Sequence, residues 1–177
     1  MTDSLFFDTD GLSAFLWVSG ESLLTKLYPG KIAIPKPVYI ELSRPCVSHL
    51  KQRVDNMISG NQAFIQDINV GTEAFSTYNK LTLSPDSGHK VIGKGEAASI
   101  ALAKEAGGIV ASNNLSDISD YIHEYNLKNI TTGDVLAEAY NKKMITEQQG
   151  NIIWASMLAK HRKIGAKTFS DYLKDKK

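Results

Sequence analysis

Asp8 closes a short apolar run, Glu41 sits on the helix after the second such run, Glu96 opens an Ala-rich helix after a Gly-Lys-Gly turn, and Asp117 lies just after the run at 109–112. Asp10 lies two residues beyond Asp8, and the run GIVAS ends in Asn113 and Asn114, three residues ahead of Asp117. In a parallel α/β sheet, ligands bind outside the carboxyl ends of the strands, so acids placed there share one edge. Carboxylates gathered at such an edge repel one another unless a cation joins them. An all-oxygen set suits Mg²⁺ or Mn²⁺ rather than zinc, because no histidine or cysteine shares its spacing. With one or two such cations the cluster is a template for phosphodiester hydrolysis, in which metal-activated water attacks and the leaving oxygen is stabilised.

Each acid also has a purely structural reading. Asp8, at a strand end, reads as a cap for the next helix, and Asp10, just before Gly11, reads as the better cap. Glu96 in a first helical turn favours the helix dipole. Glu41 reads as a solvated position on a short helix. Asn114 with Asp117, and Thr131 with Asp134, have the form of capping boxes. The chemical reading therefore depends on their meeting at one edge of the sheet.

The elements that must position them follow from periodicity and punctuation. SLFFD reads as a short buried strand, KIAIP, AFIQDINV and GIVAS as further short strands, and KNITTGD as a short strand and a cap. GLSAFLWVSGESLLTKLYPG has apolar residues at helical spacing and reads as one helix ended by Pro29 and Gly30. PVYIELSRP, VSHLKQRVDNMISG and GTEAFSTYNKL read as helices, the last capped by Thr72. Residues 83–95 form the long loop, and EAASIALAKEAGG is a strong Ala-rich helix closed by Gly107 and Gly108. LSDISDYIHEYN, VLAEAYNKKM, TEQQGNIIWASMLAKHRK and TFSDYLKDKK complete the helices. The alternation predicts an α/β fold with a parallel sheet. Without repeats or a shift in composition, residues 1–177 read as one domain with a C-terminal helical extension from about residue 146.

Four of these segments, in order, resemble the motifs of the PIN domain family. FFDTDGLSAFL is similar to the family's opening strand, acid and helix, and IPKPVYIELS to its Pro/Val-rich lead-in to a helix carrying Glu. GKGEAASIALAKEAGGIVASNN resembles its acid-bearing Ala/Leu helix and following strand, and ITTGDVLAEAYNKKMIT its downstream segment. Together they span most of residues 5–145. The resemblance implies a three-layer α/β/α sandwich around a short parallel sheet and a Mg²⁺- or Mn²⁺-dependent endoribonuclease, in many members the toxin of a toxin–antitoxin pair. It implies a cognate antitoxin, an RNA substrate and a homodimer. By resemblance Asp8, Glu41 and Glu96 are the first three metal-binding acids, and Thr9 is the small hydroxyl residue beside the first. The family's fourth acid falls on Asn114, a departure that keeps an oxygen ligand but loses a charge and adds two donors. Asp117 matches a further acid and supplies the missing carboxylate if it faces the same cavity; Asp10 and Asp134 are accessory candidates. A degenerate relative that binds RNA or protein without cutting is the alternative.

The remaining features bound the reading. Net charge is +1, so attraction to a polyanion requires a local patch. His89, Lys90 and Lys94 precede Glu96 and could border the cleft as RNA contacts, or belong to a solvated loop. Lys160, His161, Arg162, Lys163 and Lys167 form a basic run, an exposed face or an RNA-contacting segment. Trp17 and Trp154 lie on apolar faces and read as core. GKGE lacks the closing residues of a P-loop. A single cysteine, no secretory signal and no membrane-length apolar stretch predict a cytoplasmic protein.

Overall fold

The structure is a computed structural model describing residues 3–176. Five parallel strands form one sheet: β1 (Leu5–Phe7), β2 (Ile32–Pro35), β3 (Ala63–Gln66), β4 (Ile109–Ala111) and β5 (Lys128–Ile130). Their order is β3-β2-β1-β4-β5. The chain thus builds outward from β1 in one direction, then crosses back to build β4 and β5 in the other. The crevice where that order reverses lies at the carboxyl ends of β1 and β4, the place where such sheets bind ligands. Leu5 pairs with Ile109 and Phe7 with Ala111, so these two strands end level.

Ten α-helices connect the strands among the described residues. α1 (Thr9–Trp17) and α2 (Glu21–Leu27) follow β1; α3 (Lys36–Leu42) and α4 (Ser48–Ser59) follow β2; α5 (Glu73–Leu83) and α6 (Lys94–Ala106) follow β3. α7 (Leu115–Glu124) follows β4, and α8 (Thr132–Asn141), α9 (Glu147–Ala159) and α10 (Phe169–Asp175) follow β5. The segment expected as one helix from residue 11 to 30 is two. Ser19 takes a left-handed φ of 57°, and the Gly20 amide turns back to the Phe15 carbonyl at 2.8 Å, which ends the first helix.

Side-chain alternation along the strands divides the interior into two layers. Leu5, Phe7, Ile32 and Ile34 face one apolar layer with α1, α4, α8 and α9, while Phe6, Ala33 and Val110 face the other with α5, α6 and α7. Because both faces are covered, LFF and IAIP are buried throughout, as parallel strands require. The expected three-layer α/β/α sandwich is therefore what the chain forms. The C-terminal helices belong to the same core: Trp154, Met157 and Phe169 are fully buried within it. Among the described residues no helix is long and apolar enough to cross a membrane.

Candidate active site at the carboxyl edge of the sheet

Asp8 is the last residue before α1 and the group on which the site is built. Its amide extends the β1–β4 pairing by donating to the Ala111 carbonyl at 3.1 Å. Its Oδ1 accepts from the Gly11 amide at 2.5 Å, so Asp8, not Asp10, caps α1. Asp10, expected as the better cap, instead lies inside the first turn, with its side chain 59% exposed. The second oxygen of Asp8 accepts from the Ser112 hydroxyl, which stands just past β4. Asp8 is almost wholly buried. Desolvation pushes its pKa up from 3.8 to about 7. The bonds donated by Ser112 and Gly11 oppose that rise, and the like charges of Asp10 and Glu96 add to it.

Glu41 reaches the same point from α3. Its Oε2 accepts a short hydrogen bond from the Thr9 hydroxyl, which joins the first two acids through the small hydroxyl residue between them. Gly95 permits this approach: a Cβ there would sit 2.7 Å from Thr9 Oγ1 and 3.3 Å from Glu41 Oε2. Glu96, one residue on, does two things at once. Its Oε2 accepts from the Gly93 amide at 2.9 Å and closes the first turn of α6, while its Oε1 accepts from Asn114 Nδ2 at 2.6 Å. The dipole-favoured position read from the sequence and the cleft position are thus the same position. Asp8, Thr9, Asp10, Glu41 and Glu96 line one cleft of about 190 Å³.

Asn114 and Asp117 do not form the expected capping box. Asn114 precedes α7, but its side chain makes no cap bond. Its Nδ2 donates to Glu96 and, at 2.7 Å, to Asp117 Oδ2, while its Oδ1 accepts from Ser116. The two amide hydrogens link two carboxylates, one on α6 and one on α7. Asp117 consequently faces an adjoining pocket of about 400 Å³, bordered by Asp10, Asn114 and Lys163, rather than the cleft of Asp8. Asn113 serves the scaffold. Its side-chain amide spans the backbone amide and hydroxyl of Thr132 at 2.8 Å each, tying the end of β4 to the start of α8.

Asp134, expected as an accessory acid, serves elsewhere. One oxygen accepts from the Thr131 amide at 2.8 Å and the Thr131 hydroxyl at 2.7 Å, a true capping box, and the other from Tyr172 at 2.9 Å. Lys176 pairs with it at 2.5 Å. Lys90 and Lys94 are exposed, and neither lines the cleft. The loop carrying them is not merely solvated: the Lys90 carbonyl accepts from Tyr121 at 2.6 Å, and His89 stacks on the Tyr121 ring and pairs with Glu124 at 3.0 Å. The basic group at the cleft mouth is Arg162, 3.6 Å from Asp10. Ser112 carries no local signal in the sequence and Arg162 is legible there only as a member of the basic run, since each meets its partner from more than a hundred residues away.

The donor set is hard oxygen throughout, and a buried carboxylate that reaches a pKa near 7 among like charges is one that a cation would relieve. In chemical kind the residues fit Mg²⁺ or Mn²⁺. Their oxygens are directed to hydrogen-bond donors, and among the described residues no three acids, histidines or cysteines are drawn into one coordinating group. No family model matches the chain, and no curated protein matches it.

Proposed function

We propose that this chain is a PIN-type nuclease that hydrolyses phosphodiester bonds of RNA with a divalent cation. The observation that carries the reading is the gathering of Asp8, Glu41 and Glu96, from three separate elements, into one cleft at the switch point of a parallel sheet. These three acids would hold Mg²⁺ or Mn²⁺, and the cation would supply a Lewis acid for the scissile phosphate and an acidified water. The rest of the site serves orientation. Ser112 and the Gly11 amide fix both oxygens of Asp8. Thr9 holds Glu41, and the Gly93 amide and Asn114 hold Glu96, so each carboxylate is aimed before any ligand arrives. The resemblance of its motifs to the PIN family would further make it a cytoplasmic toxin with a cognate antitoxin as partner.

One observation favours a second reading, a relative that binds RNA or protein without cutting. Asn114 already satisfies Glu96 and Asp117 with its two amide hydrogens, as a cation would between two carboxylates. Calorimetric titration with Mn²⁺ and cleavage of labelled RNA, each on the wild type and Glu96→Gln, separate the two. The nuclease reading expects Mn²⁺ binding and cleavage in the wild type and loss of cleavage in the variant. Equal cleavage by both proteins refutes the role of Glu96. RNA binding with neither Mn²⁺ uptake nor cleavage selects the second reading.

A further inference from the structure

The acidic cleft repels the polyanion it is proposed to cut, and the net charge of +1 offers no compensating global field. Attraction must come from fixed cations close by. Such cations stand on the connection between α9 and α10. That connection is anchored at several points. The Arg162 amide donates to the Met157 carbonyl at 3.1 Å, Ile164 is buried, and Trp154 Nε1 donates to the Ala166 carbonyl at 2.9 Å. The Lys160 ammonium lies over the Trp17 ring, 5.5 Å from its centroid. Anchoring of the backbone on both sides holds Arg162 and Lys163 in place at the edge of the site.

Arg162 points at the cleft mouth, 3.6 Å from Asp10 Oδ1 and 3.4 Å from Ser13 Oγ. Lys163 is exposed and borders the pocket of about 400 Å³ that also holds Asn114, Ser116 and Asp117. Asp10 lines both this pocket and the acidic cleft, so the two adjoin. The ion pair of Arg162 with exposed Asp10 is of the kind worth little in water, so a phosphate can take the guanidinium from it at small cost.

We infer that Arg162 and Lys163 form a phosphate-binding rail that holds the backbone of an RNA strand in the pocket beside Asp117, next to the reacting phosphate. The inference rests on the nuclease reading for its ligand, and binding is measured without cleavage so that the two stand or fall separately. Fluorescence anisotropy of a labelled single-stranded RNA oligonucleotide in EDTA, over a range of salt, is run on the wild type, Lys163→Ala, Arg162→Ala and Lys128→Ala. Lys128 is a control at the amino end of β5, paired with Asp3 at 2.9 Å. Loss of one phosphate contact lowers the slope of log affinity against log salt by about 0.7 for a single strand, or about fivefold in affinity at about 0.1 M salt relative to about 1 M. Lys163→Ala and Arg162→Ala are expected to show that loss, and Lys128→Ala wild-type binding. Because Lys163 is exposed, its variant keeps the test sound should Arg162→Ala fail to fold, which circular dichroism reveals. Wild-type affinity and slope in Lys163→Ala overturn the rail, as does absence of RNA binding by the wild type. Cleavage in Mn²⁺, scored separately, decides the nuclease reading: rail-dependent binding without cleavage leaves the rail standing and removes the reaction.

Discussion

Asp8→Asn isolates the electrostatic strain at the centre of the site. A rise in pKa from 3.8 to about 7 means that ionising Asp8 in the native state costs about 4 kcal/mol more than in the unfolded chain. The native state therefore binds the extra proton, and stability falls as pH rises from about 4 to about 7, then levels. Between pH 5 and pH 8 the share lost is about 2–3 kcal/mol, or roughly 5–10 °C in Tm for a domain of this size. Other acids do not blur this window. Asp55, Asp134 and Glu138 have lowered pKa values, so their contribution is present above the ordinary carboxylate range and is lost only as pH falls below it. Asparagine keeps an oxygen for the Gly11 amide, and its own amide can donate to the Ser112 hydroxyl. The variant is expected to match the wild type near pH 5 and exceed it at pH 8. Thermal unfolding of both proteins in EDTA across this range measures the difference. Parallel pH profiles for the two proteins refute the assignment of strain to Asp8.

Three further outcomes test the surrounding design. Asn114→Asp replaces the shared amide with a third carboxylate between Glu96 and Asp117; urea unfolding in EDTA should show a loss of about 1–3 kcal/mol, and Mn²⁺ should bind more tightly than to the wild type. Gly150→Ala places a Cβ 2.3 Å from the Phe169 ring, and thermal unfolding should report a loss of about 1–3 kcal/mol with RNA binding retained. Tyr172→Phe removes one donor from Asp134, which keeps Thr131 and Lys176; the expected cost is about 1 kcal/mol by urea unfolding, without effect on cleavage.

Mutual placement explains why some residues are legible in the sequence and others are not. Asp8, Glu41 and Glu96 can be read because each is tied to a local signal: the end of an apolar run, a Pro-led helix, a Gly-flanked first turn. Those same signals explain their structural duties, and in Asp8 and Glu96 one side chain caps a helix and faces the cleft together. The spacing of Asn114 and Asp117 fits a capping box, yet the Asn114 amide is shared between Asp117 and Glu96 on α6, 18 residues away, and its oxygen accepts from Ser116. Asp134 departs from expectation for the opposite reason: its local capping box is real, and Tyr172 and Lys176 complete its partners from the C-terminal segment.

The sequence by itself determined most of the elements, their order along the chain and an α/β fold with a parallel sheet, because strand and helix periodicity and their Gly and Pro punctuation are local properties. It also placed Asp8 at a strand end, Glu96 at a helix start and Glu41 on the helix after β2, since these positions are local properties of the chain. Only the tertiary structure decided which groups meet there. Ser112 reaches Asp8 across 104 residues, and Arg162 approaches Asp10 from beyond the end of α9. These contacts depend on how layers stack rather than on any nearby pattern. The break at Ser19 and the pinning of the basic connection by Trp154 belong to the same class. Each is settled by packing between elements distant in sequence, where burial outweighs the weaker preferences of the local chain.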